Sequence, residues 1–264
     1  MHGCIGCRKV PRCLGIEELA NRMSLPWLDS DESSFPDISQ ALVEPNGLLA
    51  AGGNLSPEML LRAYSSGIFP WFEEGQPILW WSPDPRMVLE PADLYISKSL
   101  RKTLNRHDYE VTMDNAFPEV MACCAQPRGD FPGTWITDDM QYAYTQLFER
   151  GHAHSVEVWR AEQLVGGLYG VAIGQVFFGE SMFSFESNTS KIALVNLVKQ
   201  LQQWKYELID CQVSSEHLES LGAKEVSRGE FSRQLQALLS RPGKNAPWNF
   251  STNSARQAEG KAGE

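Results

Sequence analysis

Three strand-like runs follow one another almost without interruption at 155–160, 164–172 and 175–180, separated by three and two residues and rich in Val, Leu, Tyr and Phe. Directly behind them, 190–204 places Ile192, Leu194, Val195, Leu197, Val198 and Leu201 on one helical stripe. Strands joined this tightly pair as an antiparallel meander, and an amphipathic helix needs an apolar face to cover. This block therefore sets the core around which the remaining segments are arranged.

The flanking pattern is regular. Before the meander come a strand at 87–90, a helix at 97–107, a strand at 109–113 and a short helix after Asp114. A further helix is opened by Thr137-Asp138-Asp139 and closed by Gly151, with acids at its positive end. After the long helix come a strand at 208–213, a short helix ending at Gly222, a strand at 224–227 and a last helix at 231–239. This is the element order of an N-acetyltransferase-type domain. The expected fold class is α+β, a small N-terminal domain followed by an N-acetyltransferase-like mixed-sheet domain.

The N-terminal part is punctuated by turns at Pro45-Asn46-Gly47 and Gly52-Gly53-Asn54. Ser56 then caps a helix that has Pro57 at its first position and Gly67 just past its end. Between Ile68 and Pro85 lies an aromatic loop holding Phe69, Trp71, Phe72, Trp80 and Trp81 among four further prolines and glycines. The expected divisions are an extension at 1–22, misassigned or disordered ahead of Met23, a small domain at 23–84, a catalytic domain at 85–243 and a polar tail at 244–264. His2, Cys4, Cys7 and Cys13 have spacing that could hold zinc, but a structural zinc site normally closes a fold between two ligand pairs, so no metal is expected. Cys123, Cys124 and Cys211 read as small buried hydrophobes.

With 33 acidic against 23 basic side chains the chain carries a net charge of −10, which argues against coating nucleic acid through bulk charge but leaves room for a local basic patch. Its longest weakly polar stretch, 164–179, contains Gln175 and falls short of the roughly 18 apolar residues of a membrane span. A cytoplasmic, monomeric protein without membrane contact is expected.

Four constellations carry possible chemistry. Strand alternation puts Asp210 and Gln212 on one face and Ile209, Cys211 and Val213 on the other, so a carboxylate and an amide stand side by side where a proton can be accepted and a carbonyl oriented. The bland reading is a polar pair finishing a surface strand. Glu180 sits inside the apolar run Phe177–Phe183, where burial alone would cost several kcal/mol, so it is either paired or functional. Gly179-Glu180-Ser181 lacks the second glycine of a nucleophile elbow, since Phe183 occupies its place. Lys98, Arg101, Lys102 and Arg106 line one helix face without an intervening acid, as a phosphate-backbone contact or as ordinary solvated surface. Trp71 and Trp135, in loops rich in Pro and Gly, look exposed and suit nucleobase stacking, sugar stacking or plain loop packing.

Taken together these segments resemble the leucyl/phenylalanyl-tRNA–protein transferase family. The strings that carry the likeness are EPNGLLA at 44–50, GIFPWF at 67–72, ILWWSPDPR at 78–86, GTWIT at 133–137, HAHS at 152–155, VGGLYG at 165–170, FFGESMF at 177–183, and LIDCQV at 208–213 with SLGA at 220–223. The resemblance implies transfer of Leu or Phe, and less readily Met, from aminoacyl-tRNA to the α-amino group of proteins beginning with Arg or Lys, marking them for N-degron degradation. No cofactor is implied. Carried over position by position, Trp71 and Trp135 hold the terminal adenosine of the tRNA, and Leu168, Phe177 and Ile209 line the aminoacyl side-chain pocket. Leu168 stands where the family has a methionine. By the same resemblance Glu180 holds the aminoacyl amine, Asp210 and Gln212 are the catalytic pair, and Lys98, Arg101, Lys102 and Arg106 touch the tRNA backbone. The unmatched parts are the first 22 residues and the surroundings of 214–216.

Two rivals remain. An acyl-CoA-dependent N-acyltransferase needs a glycine-rich pyrophosphate loop ahead of the long helix, and 181–187 has no glycine. A non-catalytic RNA-binding module leaves Asp210, Gln212 and Glu180 unemployed.

Overall fold

The computed structural model describes residues 25–29, 34–127 and 135–250. The possible ligands His2, Cys4, Cys7 and Cys13, the 1–22 extension and the tail beyond 250 lie outside the described residues.

Two sheets are present. The smaller has the order β1-β2-β4-β3, from β1 (Trp27–Leu28), β2 (Leu48–Gly52), β3 (Phe69–Pro70) and β4 (Leu79–Trp81). Helix α1 (Pro57–Ser65) starts as expected, with the Ser56 hydroxyl accepting from the Met59 amide at 3.3 Å. The aromatic segment is more than a loop, because it is threaded as two antiparallel strands whose tryptophans point inward. Trp80 Nε1 donates to the Gly52 carbonyl at 2.9 Å and Trp81 Nε1 to the Trp71 carbonyl at 2.7 Å, so each indole is buried with its one polar atom satisfied.

The larger sheet has seven strands in the order β11-β5-β10-β9-β8-β7-β6. They are β5 (Arg86–Leu89), β6 (Glu110–Met113), β7 (Ala153–Arg160), β8 (Gln163–Ile173), β9 (Val176–Ser184), β10 (Leu208–Gln212) and β11 (Lys224–Val226). β7, β8 and β9 form the expected meander, and all neighbours are antiparallel except β9 and β10, which run parallel. The helices are α2 (Lys98–Leu104), α3 (Phe117–Cys124), α4 (Asp138–Glu149), α5 (Thr189–Gln203), α6 (Glu216–Glu219) and α7 (Arg228–Leu239). This is the mixed α/β arrangement, with a small N-terminal sheet beside a larger mixed one, that the element order predicts.

Helix α5 buries its apolar stripe in a cluster with Leu168, Phe177, Met182 and Ile209. A second cluster holds Tyr64, Trp71, Phe117, Tyr144, Phe178 and Phe231 together, so the small sheet shares a core with the larger one. Phe177 and Phe178, adjacent in sequence, thus enter different clusters, as a strand requires. Gly170 makes the Phe177 placement possible: a Cβ there would lie 2.2 Å from the Phe178 carbonyl oxygen and 2.5 Å from Phe177 Cζ.

Pairing of β9 with β10 runs from Val176↔Leu208 to Phe178↔Asp210. Two bulges lie at that end. Gly170 faces Gly179 while Tyr169 faces Ser181, leaving Glu180 as the extra residue, and Asp210 faces Val88 while Gln212 faces Met87, leaving Cys211 extra.

Four expectations need correction. Val213 packs with the cluster on the Asp210 side, because Gln212 has a φ of 65° and turns the chain out of strand alternation. Arg106 lies beyond the end of α2, which stops at Leu104. Trp71 is only 9% exposed, packed in the shared core. The start of the polar tail is anchored, since Trp248 is fully buried, stacked on His154 with ring centroids 3.7 Å apart, and its amide donates to Asp114 Oδ2 at 2.8 Å. Among the described residues no helix is long and apolar enough to cross a membrane.

Candidate active site

Arg86 begins β5 and Asp210 sits on the adjacent β10. The guanidinium grips the carboxylate side-on, Nε to Oδ1 at 2.8 Å and Nη2 to Oδ2 at 2.6 Å, while its other arm, Nη1, is buried without a hydrogen-bond partner, and the two side chains are 1% and 0% exposed. Arg86 is itself held between two rings, its Cζ 4.8 Å from the Phe69 centroid and 4.6 Å from that of Phe231. The Gln212 amide adds a third hydrogen bond to Asp210, at 2.9 Å on Oδ1. Both carboxylate oxygens are therefore engaged, and the geometry fixes Asp210 rather than leaving it free to swing.

The Gln212 side chain crosses to the next strand, where Nε2 donates to Glu180 Oε1 at 2.7 Å. The Tyr144 hydroxyl donates to Glu180 Oε2 at 3.0 Å and is paired in turn with the Tyr64 hydroxyl. Burial pushes the Glu180 carboxyl up to about 7; hydrogen bonds from Tyr64, Tyr144 and Gln212 oppose that rise, and the nearby Asp210 charge adds to it. The Tyr64 and Tyr144 phenols are held well above their ordinary range, first by burial and then by the Glu180 charge, so they remain protonated donors at neutral pH. The two bulges explain how these groups meet. The extra residue at Glu180 and the turned backbone at Gln212 aim both side chains into the space where β9 and β10 stop pairing.

Of the residues singled out in the sequence, Asp210, Gln212 and Glu180 come together in one buried network. Leu168, Phe177 and Ile209 also come together, each about 1% exposed, in the cluster beneath α5, with Ile209 and Phe177 in register across β10 and β9. That cluster is distinct from the one holding the tyrosine partners of Glu180. Trp71 packs against Trp81 with centroids 5.7 Å apart, and Trp135 is half-buried against the same shared core. Lys98, Arg101, Lys102 and Arg106 are all exposed. Sequence reasoning missed Arg86, Tyr64 and Tyr144. The available signal for Arg86 was a lone cation opening an otherwise apolar strand, RMVL. Among the described residues no group of three or more His, Cys, Asp or Glu side chains is placed to hold a metal ion.

The comparisons with known proteins converge. The family model described as leucyl/phenylalanyl-tRNA protein transferase matches residues 88–236, and that of its N-terminal domain matches 53–84. The leucyl/phenylalanyl-tRNA–protein transferase of Nitrosospira multiformis is 58% identical over 226 residues, covering 86% of this chain and 97% of that protein. The chain belongs to the leucyl/phenylalanyl-tRNA–protein transferase family. The corresponding protein of Nitrosomonas europaea is 59% identical over 219 residues, 83% of this chain and 93% of its own length. Membership of the leucyl/phenylalanyl-tRNA–protein transferase family makes the chain an aminoacyltransferase. Arg86 falls between the two matched ranges, and Trp248 lies beyond the second. A solved GCN5-related N-acetyltransferase from Kribbella flavida aligns at 12% identity over 65% of this chain and 61% of that chain, with a TM-score of 0.31.

Proposed function

We propose that this aminoacyltransferase moves Leu or Phe, and less readily Met, from aminoacyl-tRNA to the α-amino group of proteins that begin with Arg or Lys, in the cytoplasm, as a monomer, and so marks them for N-degron degradation. The observation that carries the chemistry is the Gln212 bridge, which ties a carboxyl pushed up to about 7 to a carboxylate locked by Arg86 at the point where two parallel strands part.

An aminoacyl ester is already activated, so catalysis consists of placing the attacking amine, taking its proton and stabilising the oxyanion. Glu180 meets the aminoacyl amine, and its raised pKa suits exchange of a proton near neutral pH. Asp210 and Gln212 form the catalytic pair, with Asp210 orienting the attacking amine from a fixed position. Leu168, Phe177 and Ile209 receive the aminoacyl side chain, where γ-branched and unbranched chains fit and β-branched ones clash. Trp71 and Trp135 hold the terminal adenosine, with the half-buried Trp135 offering the more open face for stacking, worth about 1–3 kcal/mol per base, and the largely buried Trp71 only the edge it leaves exposed. Lys98, Arg101, Lys102 and Arg106 meet the tRNA backbone.

The test is transfer of radiolabelled Leu from charged tRNA to peptides beginning with Arg, Lys or Ala. Transfer to the first two and not the third is expected, and a rate indifferent to the first residue defeats the acceptor assignment. Asp210→Ala, if folded and fully active, removes Asp210 from the chemistry.

A further inference from the structure

Tyr95 stands between two surface grooves and lines both. One, of about 600 Å³, is also lined by Lys98, Arg101, Lys102 and Asn105, and the other, of about 540 Å³, by Lys191, Ser220 and Glu219. The Tyr95 ring is 60% exposed, yet its backbone is fixed, since its amide donates to the Leu221 carbonyl at 2.9 Å. It is an aromatic ridge on a rigid base.

Arg150, Arg160, Lys224, Arg233 and Arg241 are each paired with a carboxylate. Lys98, Arg101 and Lys102 make no ion pair among the described residues, although acids outnumber bases by 33 to 23 in the chain. Lys199, Lys205 and Lys244 are also exposed and make no ion pair among the described residues, but the cations beside Tyr95 line one groove together. Three unneutralised charges together on so acidic a body point to an anionic partner. The arrangement adds shape to charge, with three α2 cations on one flank, Lys191 next to Glu219 on the other and the exposed Tyr95 between. A-form RNA presents the complement, a wide, shallow minor groove walled by ribose 2′-hydroxyls with a phosphate strand on each side. The B-DNA minor groove, about 6 Å wide, is too narrow for such a ridge.

We infer that Tyr95 enters the minor groove of an RNA duplex and that its hydroxyl reads a ribose 2′-hydroxyl, while α2 and Lys191 straddle the two backbones. This rests on the proposed contact of α2 with tRNA and adds to it a residue that distinguishes RNA from DNA.

The test uses fluorescence anisotropy over a salt series, with an RNA hairpin having a seven-base-pair stem, roughly the length of an acceptor stem, and its all-deoxy counterpart. The wild-type protein is expected to prefer RNA by about tenfold. Tyr95→Phe, which keeps the ring at an exposed site, should cut that preference about threefold and leave the slope of log K against log salt unchanged. Lys191→Ala should lower that slope by about one. A Tyr95→Phe protein with the full preference, or a wild type that binds both hairpins equally, overturns the inference. If Arg101→Ala with Lys102→Ala leaves RNA affinity and slope untouched, it is the contact of α2 with tRNA that fails.

Discussion

Replacing Arg86 by Met tests whether the buried ion pair anchors the site. Met preserves the length and an apolar body between Phe69 and Phe231 and deletes the charge. Asp210 then keeps only the Gln212 amide as a hydrogen-bond donor, at 0% exposure. Removing one partner of a buried pair costs about 3–5 kcal/mol, because the other charge is left uncompensated. At roughly 2–4 °C per kcal/mol for a chain of this size, the expected loss of Tm is roughly 6–20 °C. The double substitution Arg86→Met with Asp210→Leu removes both charges and should recover most of that loss, since an apolar pair of similar volume is close to neutral in stability. Transfer should stay reduced by about 10²-fold or more in both variants, because neither holds a carboxylate at that position in its native orientation. Thermal denaturation followed by circular dichroism, alongside the peptide transfer assay, reads both quantities. An Arg86→Met protein whose Tm moves by less than about one degree and whose transfer rate is intact would show that the ion pair does not anchor the site.

Glu180 makes a pH signature. Its carboxyl is raised to about 7 in the fold, so its contribution to stability is full below the unfolded value and is lost as pH rises through about 7. Glu180→Gln should therefore gain stability relative to wild type on going from pH 5 to pH 8 in urea titrations, and parallel curves would sink this account. Trp248→Ala removes a fully buried indole and should cost about 3–5 kcal/mol by the same titrations. A shift within error would mean that the segment carrying it contributes nothing.

Most of the architecture was legible because it rests on local signals: the β7–β9 alternation, the stripe of α5, and the caps at Ser56 and Thr137, whose hydroxyls do accept from Met59 and Met140. The aromatic segment was misread as a loop because its prolines and glycines outweighed the two short strands that its indoles stabilise by filling the core. Asp210, Gln212 and Glu180 were visible as polar residues in apolar strands. Arg86 was not, since its partner is 124 residues away and pairing at that distance leaves no local pattern. The bulges were equally silent, because one added residue shifts side-chain parity without changing composition. Trp248 was hidden for a related reason, being one of two aromatics in a polar segment whose burial depends on His154 and Asp114, far back in the chain.

The cage around Arg86 ties the site to the order of synthesis. Its two walls come from Phe69 in the small sheet and Phe231 in α7, and its counter-ion is on β10. A nascent chain still lacking α7 has one wall missing and the guanidinium open to water, where its grip on Asp210 weakens as the local dielectric rises. The site is thereby finished only when α7, the last helix among the described residues, has left the ribosome. A truncated product stopping short of Phe231 would carry every residue of the Glu180–Gln212–Asp210 network and still lack the enclosure that makes them one unit.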